Sequence, residues 1–180
     1  MDFYYTDPIG PFHQAAGTAF GTFTTKQDVS PTDLPVITAG RLRKGSKVWI
    51  QAFGEFSTTG TPNITLGFWF GTRAGSITGD IALSSVITTG SGAAAWPWAM
   101  EWFGVCTATG TSGTLVGGGE LKLGTSLTAW TSTPIPITQA LRTVTIDTTI
   151  ERAIGVSGTW SASSGSNTIK VNGHHVVVLN

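Results

Sequence analysis

The sequence predicts an all-β domain, a sandwich or barrel of about eight to ten short strands. Three observations carry this prediction. Hydrophobic residues alternate with polar ones as in a strand, and no segment shows a convincing helical period. Clusters of Gly, Pro, Ser and Thr separate the alternating runs, which is typical of sandwiches and barrels. The chain has 180 residues, 40% of them hydrophobic, and is long enough for one domain with a real core.

Two predicted central strands show the alternation best. In residues 46–56, the predicted core face consists of Val48, Ile50, Ala52 and Phe56, and the opposite face consists of Trp49, Gln51, Phe53 and Glu55. In residues 63–71, a turn-prone run leads into bulky residues whose predicted core face consists of Ile64, Leu66, Phe68 and Phe70. Trp69 falls on the opposite face of this second strand. A tryptophan suits a subunit interface better than solvent, so Trp69 is a candidate interface residue.

Later strands follow the same rule. In residues 97–106, Trp98, Met100 and Trp102 share one face, with Glu101 and Phe103 opposite. In residues 168–179, the residues predicted to point inward are Ile169, Val171, Val177 and Leu179. The predicted strands, in chain order, are 19–23, 35–39, 46–56, 63–71, 81–87, 97–106, 114–123, 141–149, 152–160 and 168–179.

The N-terminal segment differs from the rest of the chain. Pro8 and Pro11 interrupt it and block regular structure. Its aromatic residues are Phe3, Tyr4, Tyr5 and Phe12. Disordered segments are usually poor in aromatic residues, so we expect an ordered arm that lies on its own domain or on a neighbouring chain. The predicted organisation is an extended N-terminal arm over residues 1–35 and a β-sandwich domain over residues 36–180.

Composition narrows the class of partner. Ten basic and ten acidic residues give zero net charge, so no overall field favours nucleic acid or an anionic membrane. The charged fraction of 11% is under half the usual value of about 25%, which suits packing against other protein. No apolar run approaches the roughly 18 residues of a membrane span, and no secretory signal is visible. We expect synthesis in a cytoplasm and neither a membrane nor a nucleic-acid partner.

The sequence shows no reaction centre. His174 and His175 are adjacent, so on a strand they face opposite sides and do not chelate one ion together. Cys106, the single cysteine, shares the face of Trp98 and Trp102, which predicts a buried, inert thiol. The acidic residues are spread singly, and no nucleophile or phosphate-binding signature is present. We therefore expect no enzyme activity, no catalytic residue, no metal site and no cofactor.

For two features of the sequence, a role in binding is an alternative to a purely structural explanation. The one charge cluster consists of Arg41, Arg43, Lys44 and Lys47. It is either a solvated hairpin or a contact with an acidic protein surface or with glycans. The chain also has seven tryptophans, of which some belong in a core. Trp96 and Trp98, stiffened by the proline between them, are candidates for stacking on sugar rings.

Four stretches together carry a resemblance to a known group of proteins. They are A-G-R-L-R-K-G-S-K-V-W-I-Q-A-F-G from residue 39, S-T-T-G-T-P-N-I-T-L-G-F-W-F-G from 57, A-W-P-W-A-M-E-W from 95 and W-S-A-S-S-G-S-N-T-I from 160. Over residues 36–179 the chain resembles small β-sandwich structural proteins of tailed bacteriophages. The resemblance implies an antiparallel jelly-roll-like sandwich that forms a homotrimer in the virion, and it supplies no catalytic residues.

The resemblance and the residues lead to two functional hypotheses. The first is a capsid decoration (cement) protein that binds the outer capsid surface and stabilises capsomer junctions. Its contacts with the major capsid protein are expected from Phe3, Tyr4, Tyr5, Phe12, Arg41, Arg43 and Lys44. The alternative is a tail-tip or fibre head domain that recognises host surface carbohydrate. The candidates for a subunit interface or for glycan stacking are Trp69, Trp96 and Trp98.

Overall fold

The structure, a computed structural model, describes residues 8–9, 19–126 and 128–180. In this part of the chain nine strands have four or more residues, five have two residues, and one 3₁₀ turn covers Gln139–Arg142. No helix of the described residues is long and apolar enough to cross a membrane. The longer strands are β5 (Lys47–Ser57), β6 (Asn63–Gly71), β7 (Ile77–Leu83), β9 (Trp96–Ala108), β10 (Gly113–Gly124), β11 (Trp130–Ile135), β12 (Thr143–Ile146), β13 (Arg152–Trp160) and β14 (Thr168–Leu179). The two-residue strands are β1 (Pro8–Ile9), β2 (Phe20–Gly21), β3 (Gln27–Asp28), β4 (Val36–Ile37) and β8 (Ile87–Thr88).

Two antiparallel sheets form the sandwich. In the larger sheet the strand order is β1-β14-β5-β9-β10-β11, with β12 also paired to β10 and β2 to β14. In the smaller sheet the order is β3-β13-β6-β7, with β4 on β13 and β8 on β6. The alternation and the turn clusters therefore predicted the fold class correctly. The nine longer strands of the described chain also fall within the predicted eight to ten.

The core lies between the two sheets and is filled by the faces that the alternation predicts. It includes Val48, Ile50, Ala52, Phe56, Ile64, Leu66, Phe68, Phe70, Trp98, Met100 and Trp102. Full burial of one such aliphatic or phenyl side chain contributes about 1.5–3 kcal/mol. Trp102 fits because Gly104 and Gly117, which pair across β9 and β10, leave room for its indole ring. Cys106 is buried as predicted, and this burial raises the pKa of its thiol.

A β-bulge in β14 changes which residues of this strand face inward. The pairing of β14 with β5 shifts register between Val171 and Gly173. An extra residue in one strand reverses the alternation beyond it. The inward residues after the bulge are His174, Val176 and Val178. The prediction that Val177 and Leu179 point into the core is therefore wrong, and Leu179 is 37% exposed on the outer face.

The described residues of the predicted arm lie against the sandwich. β1 and β2 pair with β14, and β3 pairs with β13. Phe23 and Val29 are buried and belong to the core. A boundary at residue 35 therefore does not separate residues 19–35 from the domain, because their backbone extends both sheets. The remaining residues of the predicted arm, 1–7 and 10–18, lie outside the described part of the chain.

Candidate functional site on the outer face of the larger sheet

The outer face of the larger sheet carries the side chains that the alternation turns away from the core. Residues paired across antiparallel strands share a face, so the register arranges these side chains in rows across β14, β5, β9 and β10. The first row consists of Leu179, Lys47, Val105 and Val116. The second row consists of Val177, Trp49, Phe103 and Gly118.

These rows form an apolar surface, the Trp49 patch, that consists of Lys47, Trp49, Phe103, Val105, Val116 and Leu179 and lines a depression of about 330 Å³. The rings of Trp49 and Phe103 are stacked, with centroids 5.3 Å apart and planes at 12°. Trp49 also contacts His175 edge-on at 6.2 Å, and burial lowers the pKa of this histidine. Phe103 is 50% exposed. A contiguous exposed apolar patch of this kind is typical of a protein contact site.

The basic cluster borders the Trp49 patch. A tight turn precedes β5. In this turn the Arg43 N–H donates a hydrogen bond to the Ser46 hydroxyl, with the nitrogen and the oxygen 2.8 Å apart. Gly45 takes a φ of +94° in this turn, a conformation that favours glycine. Arg43 and Lys44 are exposed, whereas Arg41 is half-buried. The ion pairs of the described residues include none of the four basic residues of the cluster, so it presents uncompensated positive charge.

A second feature of the same face lies beside the patch. One row places Gln51, Glu101 and Glu120 next to each other on β5, β9 and β10, and the following row contains Phe53, Ala99 and Lys122. We call this surface, a depression of about 220 Å³, the Glu101 groove; it is lined by Gln51, Phe53, Ala99, Glu101, Glu120 and Lys122.

The polar groups of the Glu101 groove differ in how they are bonded. Glu120 accepts hydrogen bonds from the Ser132 hydroxyl and from Lys122, whose ammonium lies 3.2 Å away. These hydrogen bonds hold the pKa of Glu120 below its ordinary value, and the bond from Ser132 has the largest effect. The side chains of Gln51 and Glu101 are half-buried, yet they form no hydrogen bond or ion pair with a described residue. The groove therefore contains polar groups with unused hydrogen-bonding capacity.

The structure corrects the expectation that three tryptophans form a contact surface. Trp69 is 0% exposed and Trp98 is 1% exposed, so packing within the chain already covers both of them. Trp96 is half-buried, with its ring edge-on to Phe56 at 6.2 Å. The exposed tryptophan of the outer face is instead Trp130 on β11, which is 53% exposed.

The other predicted contact residues fall into two groups. Arg41, Arg43 and Lys44 come together in the turn before β5, as described above. Phe3, Tyr4, Tyr5 and Phe12 lie outside the described residues.

Sequence reasoning placed Phe53 on the face opposite the core but did not single it out. It missed Trp130 because W-T-S-T-P-I has the composition of a turn. The overlooked signal is that every second residue, namely Thr131, Thr133 and Ile135, faces the core side.

A further cleft of about 490 Å³ lies beside β7 and β12 and contains Asp80, Asp147 and Arg152. Asp80 forms an ion pair with Lys26 at 2.8 Å. Asp147 accepts hydrogen bonds from the hydroxyl and the N–H of Thr149, which lower its pKa. Each charged group of this cleft thus has a structural contact. In the described part of the chain, no group of three or more metal-ligating residues occurs.

No protein-family model matches this chain, and no curated protein is significantly similar to it. What the chain does must therefore be inferred from its own surface. The Trp49 patch and the Glu101 groove are the two features of that surface with a defined chemical character.

Proposed function

We propose that the chain is a virion structural protein of a tailed bacteriophage, a capsid decoration (cement) protein. It forms a homotrimer, binds the major capsid protein on the outer capsid surface and stabilises the junctions between capsomers. Two observations support this role. Residues 36–179 resemble small β-sandwich virion proteins, and the outer face of the larger sheet carries the Trp49 patch beside a basic cluster.

The Trp49 patch has the composition of the centre of a protein interface. Interface centres are apolar and rich in aromatic residues, whereas the rim around them is polar. The stacked rings of Trp49 and Phe103 provide such a centre, and tryptophan is among the residues that contribute most to binding. A stable interface buries about 800 Å² on each partner, so the contact extends beyond the patch, over the basic cluster at its border.

The basic residues at the border of the patch specify the charge of the partner. Lys47 belongs to the patch, and Arg43 and Lys44 precede it in the turn before β5. Because none of the three forms an ion pair with a described residue, a complementary surface carries carboxylates opposite them. Burial of surface at a subunit junction is sufficient for cementing and requires no reaction centre.

A charge placed in the patch tests this role. Val116 is 39% exposed, so Val116→Lys leaves the core unchanged while placing a charge in the apolar patch, where burial against a partner would desolvate it. We expect this variant to bind capsids that lack the protein about tenfold more weakly, a loss of about 1.4 kcal/mol, in a co-sedimentation assay.

Val86→Lys is the matched control, because Val86 is 66% exposed between β7 and β8, which belong to the smaller sheet. It should bind and sediment like the wild-type protein, and thermal melts of both variants should match the wild type. Wild-type capsid binding by Val116→Lys would remove the patch from the proposed function.

A further inference from the structure

We propose that the Glu101 groove, together with Trp130, is a binding site for a saccharide chain. The groove lies on the same face as the Trp49 patch but consists of different residues, so this inference does not rest on the decoration role. It would let the protein recognise host surface carbohydrate, through residues other than the Trp96 and Trp98 that the sequence suggested.

Two exposed aromatic side chains provide apolar platforms in the site. Phe53 is 53% exposed, and its ring lies across Gly173, in the space that a side chain there would occupy. Trp130, equally exposed, pairs with Gly124, which has no side chain to cover the indole. Sugar rings present a face of C–H groups that packs against an aromatic ring.

The spacing of the two platforms suits a short oligosaccharide. Phe53 lies on β5 and Trp130 on β11, and β9 and β10 run between them. Three strand spacings therefore separate the two residues, which is about 14 Å across the sheet. The register also places both side chains on the outer face. Phe53 shares a row with Ala99, Lys122 and Ser132. Trp130 is two residues from Ser132 on β11, so it points to the same side of the sheet. The two aromatic residues can thus contact one extended ligand.

The polar groups of the site match the hydroxyls of a sugar. Lys122 lies in the row of Phe53, between the two platforms, and Gln51 and Glu101 lie in the adjacent row, on the side of Phe53 away from Trp130. The Gln51 amide both donates and accepts hydrogen bonds, the Glu101 carboxylate accepts them, and the Lys122 ammonium donates them. Gln51 and Glu101 are half-buried without a partner among the described residues, and a ligand that supplied hydrogen bonds would satisfy them. A sugar hydroxyl serves as donor and as acceptor, so it can meet both kinds of group.

The pairing of two acidic residues across the groove also indicates a binding role. Glu101 lies directly opposite Glu120 on β9 and β10, and like charges in this position destabilise a sheet. Ser132 and Lys122 compensate Glu120, but no described residue compensates Glu101. Locally unfavourable pairings of this kind are expected at functional sites. A cationic partner fits less well than a saccharide, because the Lys122 ammonium lies in the same groove.

Affinity electrophoresis tests the inference. The purified protein would be run in native gels cast with soluble dextran, xylan, mixed-linkage β-glucan, solubilised peptidoglycan or bacterial O-polysaccharide. We expect at least one of these gels to retard the wild-type protein. Trp130→Ala and Phe53→Ala should each weaken that retardation about tenfold, whereas Trp130→Phe, which keeps a platform, should retain most of it.

Two controls separate this site from the Trp49 patch and from unfolding. Ile150→Ala removes an exposed apolar side chain elsewhere and should bind saccharide like the wild type. Val116→Lys should keep saccharide binding even where it loses capsid binding, so failure of one function is distinguishable from failure of the other. Absence of retardation in every gel would overturn the inference. Equal retardation of wild type, Phe53→Ala and Trp130→Ala would overturn it as well.

Discussion

Trp69 shows, at the scale of single residues, how this chain covers a tryptophan outside its main core. The indole ring lies against Gly155, its partner across β6 and β13, and against Gly71; a Cβ at either position would overlap it. Its Nε1 donates a hydrogen bond to Asp28 Oδ1 at 3.1 Å. Asp28 belongs to β3, within the range predicted as an arm. The surface that the sequence assigned to a neighbouring subunit is therefore covered by the N-terminal part of the same chain.

Removal of the Asp28 carboxylate, which accepts the hydrogen bond from Trp69, should destabilise the fold. Asp28→Ala leaves a buried indole N–H without a partner and also removes the bond from the Ser30 N–H to Asp28 Oδ1, 3.0 Å long. We expect the free energy of unfolding to fall by about 1–3 kcal/mol, measured by urea denaturation. Asp33→Ala is the control, since it deletes the same charge from an exposed side chain. Equal destabilisation by the two variants would show that the Trp69 bond contributes little.

The bulge in β14 shows, at the scale of elements, how one inserted residue changes a surface. Before the bulge, Ile169 and Val171 face the core as the alternation predicts. Beyond it the alternation reverses, and Leu179 joins the Trp49 patch beside Lys47. Without this reversal the patch would lose one of its aliphatic side chains. A local irregularity in one strand thus contributes to the candidate interface.

Sequence reasoning succeeded where turn-prone residues flank an apolar run. The ranges predicted for β6, β13 and β14 agree with the structure, because Gly, Pro, Ser and Thr residues mark where these strands begin or end. It failed at β11, an edge strand whose Thr, Ser and Pro residues have the composition of a turn. For the candidate site, alternation placed Phe53, Glu101 and Phe103 on the outer face. Their assembly into a patch and a groove depends on the register between strands, which a single sequence does not specify.

The N-terminal segment gives a prediction at the same scale. Deletion of residues 2–16 should abolish capsid binding, because it removes the predicted contacts Phe3, Tyr4, Tyr5 and Phe12. The fold should survive, since of the described strands the deletion removes only the two-residue β1. Co-sedimentation with capsids and a thermal melt measure the two effects.

Substitution of the four aromatic residues by alanine in the full-length chain is the matched control. It should bind as weakly as the deletion if the aromatic contacts matter. Unchanged binding by the truncated protein would contradict a role of the arm in attachment.

The whole molecule presents two different surfaces on one sheet. Towards the start of β5, the Trp49 patch is apolar with a basic border, which suits a protein partner with carboxylates. Further along the same strand, the Glu101 groove offers hydrogen-bonding groups beside Phe53, with Trp130 two strands beyond β9, which suits a saccharide. A decoration protein with both surfaces would hold the shell through one and present the other to the host. Above all, we propose that the protein attaches to the shell.

Cryo-electron microscopy of the parent particle, with this protein located in the map, tests that claim most directly. We expect density on the outside of the head at the junctions between capsomers, in threefold clusters, with the Trp49 patch buried against a neighbouring subunit. Density at the tail tip would contradict the decoration role. Recognition of host carbohydrate through Phe53, Glu101 and Trp130 would then be the main function to test.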